Sequence, residues 1–256
     1  MKIGVIGSGN MGSAIVDGLL KEGYDVIASD IVEEKLSVLK CKTTRDNLDI
    51  LKSVDTVILA VKPQVIKGVL EEIKEEVKSH LIISIAGGIK IEAIEEILGN
   101  KRVIRVMPNT PSLIGKGISA IAKGKYASDS DMDKANEIFS AIGDVVTVDE
   151  SLMDSITALS GSGPAYVFLF IDALISVGVR MGLSRDVSEK LVLSTISGSI
   201  ALLKETGKHP LVLRDMVTSP GGTTVAAIEV MEKKNFSGII WEAILSAEKR
   251  AKELGK

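Results

Sequence analysis

Six residues near the start of the chain, Gly7-Ser8-Gly9-Asn10-Met11-Gly12, constrain the fold more than any other stretch. They come after a short β-branched run, Ile3-Gly4-Val5-Ile6, and open a helical pattern from Met11 to Lys21 with apolar residues at Ile15, Leu19 and Leu20. A bare G-x-G-x-x-G match is common, but in the order strand, motif, helix it is the mark of a dinucleotide-binding turn. Gly7 permits the tight turn, Gly9 lets the backbone approach a pyrophosphate, and Gly12 allows the helix to pack closely on the strand. Ser8, Asn10 and Met11 complete the turn, and the helix start offers unpaired N–H groups and a positive dipole end to phosphate.

Beyond the motif the chain repeats the same alternation. Asp25–Ser29, Thr56–Val61, Leu81–Ile85, Val103–Met107 and Val145–Val148 read as strands; Glu33–Lys40, Pro63–Lys78, Ile91–Leu98 and Asp131–Ile142 read as helices. Pro63 sits at a favoured first-turn position. Such alternation predicts an α/β fold with a Rossmann-like, doubly wound, mostly parallel sheet. Beyond Glu150 the periodicity is helical, with no strand run. The expected organisation is therefore a dinucleotide-binding domain over 1–150 and an all-α domain for substrate binding and dimerisation over 151–256. Tyr166 to Val179 is apolar nearly all round and needs cover on several faces. A tail of about a hundred residues has little room to wrap such a helix, so an intertwined helical homodimer is expected.

Composition narrows the function. A net charge of −3 leaves no nucleic-acid footprint, and 3% aromatic residues leave no platform for stacked bases. The single cysteine, Cys41, forms no intrachain disulfide, which suits a reducing compartment. With two histidines in the chain no metal site is expected. Met1-Lys2 leads into a short glycine-broken run rather than a signal segment, and Pro164–Val179 is short for a bilayer and contains Asp172. A cytoplasmic protein, without membrane or nucleic-acid partner, is the expectation.

Asp30 falls about 20 residues past the glycine motif, where an acidic group holds the adenosine ribose of NAD. It would repel the 2′-phosphate of NADP, and no arginine lies between Ile31 and Glu34 to bind one. Ser29 could donate to that phosphate, and Asp30 could instead cap the next helix, so NADPH and NADH both stay open. Ala60-Val61-Lys62-Pro63 ends a buried strand at the sheet edge where ligands bind; Lys62 is either a phosphate or ribose contact or an exposed helix start.

Asp215-Met-Val-Thr-Ser-Pro-Gly-Gly-Thr-Thr224 is the second informative segment. Small residues after a proline make a loop whose amides can converge on an anion such as a carboxylate, with a helix dipole behind it if Gly222 or Thr223 starts the next helix. An ordinary helix connection is the alternative. Alcohol dehydrogenases generally need a base such as His or Lys, yet His80 and His209 fall at surface positions. A protonated cyclic imine already carries its proton and needs only positioning and a hydrogen bond to nitrogen.

The chain resembles the pyrroline-5-carboxylate reductase family over essentially its whole length. The matching segments are Ile6–Gly12, Ala60-Val-Lys-Pro-Gln64, Met107-Pro-Asn-Thr-Pro111, Leu159-Ser-Gly-Ser-Gly-Pro-Ala-Tyr166 and Asp215–Thr224; the last two are highly specific. The resemblance implies NAD(P)H-dependent reduction of 1-pyrroline-5-carboxylate to L-proline. It also implies that Thr224 hydrogen-bonds the ring nitrogen, that the loop with Ser219, Gly221, Gly222 and Thr223 holds the substrate carboxylate, and that Glu150 lies near the substrate. On the cofactor side it implies Gly7–Gly12, Ser29 or Asp30, Asn47, Val61, Lys62 with Pro63, and Ala86, with Asn109 facing the nicotinamide. Met216 stands at a position that can be asparagine in the family, and no polar contact is assigned to it. A homodimer with interlocked C-terminal helices, able to assemble into decamers, is implied as well. A 3-hydroxyacid dehydrogenase would need a lysine after Gly161-Ser-Gly163, and Pro164–Phe170 has none. A nucleotide sensor without catalysis would have no use for the second anion loop.

Overall fold

The computed structural model describes residues 1–255. Its strands are β1 (Lys2–Ile6), β2 (Asp25–Ser29), β3 (Lys42–Thr44), β4 (Thr56–Leu59), β5 (Leu81–Ser84), β6 (Arg102–Met107), β7 (Gly117–Lys123) and β8 (Gly143–Thr147). They form one sheet in the order β3-β2-β1-β4-β5-β6-β7-β8. Every pairing is parallel except that of β6 with β7. The exception has a simple cause: only a short 3-10 turn, Thr110–Ile114, joins these two strands, and a parallel pair needs a longer crossover.

The helices between strands are α1 (Asn10–Lys21), α2 (Glu33–Leu36), α3 (Asn47–Leu51), α4 (Pro63–Ile73), α5 (Ile91–Leu98) and α6 (Asp129–Ser140). Alternation along each strand sends its side chains to opposite faces. On one face Ile27, Val57, Leu59, Ile82 and Val103 meet Ile50, Leu70 and Ile94 of α3, α4 and α5. On the other, Val5, Val26, Ile58, Ile83 and Ile104 meet Ile15 and Leu19 of α1 and Ile138 and Phe139 of α6. The doubly wound, mostly parallel sheet expected from the alternation is thus present. β3, α3 and β7 are additions to the elements expected from the sequence. β3 has three residues, and β7 (GISAIAK) is rich in small side chains, so neither shows the large apolar alternation that marks a strand. α4 stops at Ile73, short of Lys78, because the chain turns there and brings Val77 into the core.

After the sheet the chain is helical: α7 (Met153–Ile156), a π-helical turn over Thr157–Gly161, α8 (Gly163–Arg180), α9 (Arg185–Thr206), α10 (Pro210–Met216), α11 (Thr223–Lys233) and α12 (Phe236–Leu254). Two compact units result, one of Met1–Pro164 with the segment from Ala247 onward, the other Ala165–Ser246. Residues 151–164, expected with the helical half, are thus part of the sheet-bearing unit: Met153 is fully buried in the α3–α5 face of the core. The second unit has almost no core. Ile175 is the one large apolar side chain buried among its described residues, whereas Leu169 and Trp241 are each 73% exposed.

The continuous helical run Glu150–Arg180 is long and apolar enough, by length and composition, to cross a membrane. This corrects the expectation drawn from the shorter stretch Pro164–Val179, because α7 and the π turn extend the helix backward in a way that composition does not reveal. The first turns of this run are nonetheless committed to protein: Met153 and Ala158 are buried, and Asp154 faces the buried Arg105.

Candidate active site

β1 lies between β2 and β4, so the connections on its two sides leave in opposite directions and open a crevice at the carboxyl ends of the strands. A cleft of about 470 Å³ occupies that point. It brings together Gly7, Gly9, Ser29, Asp30, Asn47, Val61 and Lys62, all expected from the sequence. It also includes Val32, Lys35, Val65, Val69 and Glu72, which no sequence motif marks. The last three fall on one face of α4 at helical spacing, a signal that becomes readable once Pro63 is known to start that helix at the cleft.

The glycines behave as the motif requires. Gly7 has φ +101°, and a Cβ there would lie 2.6 Å from the Ala60 carbonyl oxygen; a Cβ on Gly12 would collide with the Gly7 carbonyl. A Cβ on Gly9 would meet nothing within 4 Å, so backbone at this position stands open to an approaching ligand. No side chain caps the start of α1. The open backbone, the uncapped helix and the crevice together fit a dinucleotide. Ser8 and Gly12 are buried, Met11 is half-buried, and Asn10 is exposed as the first residue of α1.

Asp30 is held firmly. Its carboxylate accepts hydrogen bonds from the Ser8 amide at 2.8 Å and the Val32 amide at 3.0 Å, and the Lys35 ammonium lies 3.3 Å away. Burial pushes the carboxyl upward, but the two amides and then Lys35 outweigh it and keep Asp30 below the usual carboxylate range. Beside it, Ser29 Oγ donates to Asn47 Oδ1 at 2.7 Å, and Asn47 Nδ2 donates to Glu72 Oε2 at 3.0 Å. Lys62 is exposed immediately before Pro63, which opens α4.

Three further expected site residues lie outside the lining of this cleft and make contacts of their own. Ala86 is buried among the α3–α5 face of the core, with its amide on Ser84 Oγ. Asn109 is 9% exposed and bridges two segments: its amide nitrogen donates to the Ser160 carbonyl at 3.1 Å, and its Oδ1 accepts from the Ile118 amide at 2.9 Å. Glu150 accepts from the first amide of α5, that of Ile91, at 2.7 Å, and its carboxylate lies 3.2 Å from the guanidinium of Arg105, a residue only 4% exposed.

The second unit carries the loop with Ser219, Gly221 and Gly222. Gly221 has φ +70°, the Gly222 amide donates to the Ser219 carbonyl at 3.0 Å, and Gly222 is the N-cap of α11 with no side chain capping that terminus. The amides of Thr223 and Thr224 therefore open a helix that presents its positive end to an anion. Thr224, in the first turn, is half-buried.

Residues 150–254 match the family model described as pyrroline-5-carboxylate reductase dimerisation, and residues 2–88 match that of NADP oxidoreductase, coenzyme F420-dependent. A pyrroline-5-carboxylate reductase from Methanosarcina acetivorans is 43% identical, with 100% of this chain and 98% of the relative covered. The one from Synechocystis is 41% identical over 100% of this chain and 99% of its own. The structure of the Plasmodium falciparum pyrroline carboxylate reductase with NADP bound superposes with a TM-score of 0.94 at 34% identity, covering 100% of this chain and 98% of that one. These similarities extend over the whole chain, sheet and helices alike, and the chain belongs to the pyrroline-5-carboxylate reductase family.

Proposed function

We infer that this protein reduces 1-pyrroline-5-carboxylate to L-proline, the final step of proline biosynthesis. The observation that carries the reading is the uncapped start of α11 behind the Ser219–Gly222 turn, in a chain that also has an open dinucleotide cleft. Bound NADH or NADPH supplies the hydride. The residues do the rest by placement. Amides of the loop at Ser219, Gly221, Gly222 and Thr223 receive the substrate carboxylate, and the Thr224 hydroxyl hydrogen-bonds the ring nitrogen. Hydride adds to the imine carbon, the C=N electron pair moves to nitrogen, and the nitrogen, already protonated, becomes a neutral secondary amine. No side-chain base is required.

The turn Gly7–Gly12, with Ser8, Asn10 and Met11, takes the pyrophosphate; Ser29, Asp30 and Asn47 take the adenosine ribose; Val61, Lys62 and Pro63 line the wall toward the nicotinamide. Glu150 lies near the substrate, Ala86 borders the cofactor and Asn109 faces the nicotinamide, each held by a contact of its own, with Arg105, Ser84 and the Ser160 carbonyl respectively. The functional division is 1–150 for the dinucleotide and 151–256 for substrate and dimerisation. The active form is a homodimer through intertwined C-terminal helices, supported by the near absence of a core in the second unit. A cytoplasmic location is supported by the lone half-buried Cys41.

Mixing the protein with pyrroline-5-carboxylate and either reduced cofactor should consume the cofactor's absorbance. Absence of oxidation with both would overturn the assignment. Thr224→Ala should lower kcat by about tenfold or more, the worth of a hydrogen bond to a charged partner, while cofactor affinity is kept. A loss of affinity without loss of turnover would remove Thr224 from the substrate.

A further inference from the structure

We propose that the adenosine end of the cleft selects NADH over NADPH by setting two carboxylates, Asp30 and Glu72, and a cation already paired with Asp30, Lys35, where a 2′-phosphate would lie. The proposal rests on the dinucleotide reading of the cleft. Three observations support it.

First, Asp30 is fixed as a carboxylate by the Ser8 and Val32 amides. It borders the cleft, and its side chain is only 8% exposed. The nearest cation, Lys35, is already paired with it, so the two together offer a phosphate no net positive charge. Second, Ser29 has a single hydroxyl proton, and that proton is directed at Asn47 Oδ1. Ser29, itself fully buried, therefore has no proton free for a phosphate. Third, because Asn47 accepts from Ser29 through its oxygen, its amide nitrogen points to Glu72, a second carboxylate lining the same cleft. The chain Ser29, Asn47, Glu72 thus has one polarity throughout and ends in a negative charge.

A ribose 2′-hydroxyl is a donor and satisfies such a wall; a dianionic phosphate finds two carboxylates and one ammonium that already belongs to the first. Arg45, between β3 and α3, has its guanidinium 3.8 Å from Glu33 and donates to the Ile31 carbonyl.

The test is direct titration of the full-length protein with each reduced cofactor, monitored by nicotinamide fluorescence, so that the result does not depend on turnover. NADH should bind at least about tenfold more tightly than NADPH at low salt, with the gap narrowing as ionic strength rises. Asp30→Asn and Glu72→Gln should each shift the NADPH-to-NADH affinity ratio toward NADPH by about fivefold or more. Equal affinities, tighter NADPH binding, or a ratio that neither substitution moves overturns the proposal, and does so whatever the enzyme assay shows. Conversely, failure to turn over pyrroline-5-carboxylate would strike the substrate assignment and leave this ratio to be read on its own.

Discussion

A methyl group on Gly12 has nowhere to go but into the Gly7 carbonyl, whereas one on Gly9 meets only open space. Two glycines of one motif therefore serve different ends, packing and ligand approach, and substitution separates them. Gly12→Ala should cost about 1–3 kcal/mol of stability through overpacking and weaken cofactor binding as α1 shifts. Gly9→Ala should leave stability within about 0.5 kcal/mol yet still weaken NADH. Thermal denaturation alongside fluorescence titration checks both, and equal losses of stability would refute the distinction. Glu150 is the opposite case, a residue whose partners the sequence does not show. Resemblance implies proximity to substrate, and its carboxylate is in addition engaged with Arg105 and the first amide of α5. Glu150→Ala leaves a nearly buried guanidinium with only Asp154 at 3.9 Å, and should destabilise the protein by about 3 kcal/mol. Glu150→Gln, which still accepts from Ile91, should recover part of this in urea unfolding. A rise in KM with unchanged stability would instead show that Glu150 acts on the substrate and that its pair with Arg105 adds little.

Helix α6 shows how far an element can be read from its letters. Ser128 and Asp131 form a reciprocal capping box, and Asp131 also pairs with the Arg102 guanidinium at 2.7 Å. Periodicity places the start of this helix at Asp131, two residues late, since the acidic run Asp129–Asp133 resembles a solvated surface and hides the cap. Only the fold reveals that Asp131 is 1% exposed. Burial alone would raise its carboxyl, but the Ser128 backbone and hydroxyl and then Arg102 outweigh it, so its pKa is lowered. A depressed folded pKa gives stability that is fully present above the unfolded value of about 3.9 and is lost as pH falls through the lower folded value. Asp131→Asn should therefore be less stable than wild type at neutral pH, and the gap should close as pH falls below the unfolded carboxyl value of about 3.9. A gap that persists unchanged in acid would show that shape rather than charge is at stake.

For the molecule as a whole, the decisive feature is a helical unit that buries almost nothing of its own. Leu169 and Trp241 stand in the open together with Phe168, Leu193, Ile239 and Leu245. Exposed apolar area on this scale marks a protein interface, in keeping with the dimerisation family model over residues 150–254. Sedimentation should therefore show a dimer or a multiple of it. Leu169→Glu should shift the protein toward monomer and abolish turnover; an unchanged assembly would mean that this part of α8 lies outside the interface.

The strand, glycine turn and helix at the N-terminus, and the βα alternation up to Glu150, are readable in the sequence because they depend on local geometry: positive φ at Gly7, apolar alternation, and a proline at the start of α4. The small residues of the Ser219–Thr224 loop are legible too, but that α11 starts uncapped behind Gly222 is shown only by the structure. β7 and α3 stay hidden because their stability comes from neighbours rather than from their own pattern. The same reason accounts for Glu150 and Glu72, both surface-like carboxylates in the sequence. Tertiary packing brings one to a buried arginine on β6 and the other, across the cleft, to Asn47. A side chain's partner at long sequence separation is set by how strands are ordered in the sheet, and no periodicity in the chain records that order.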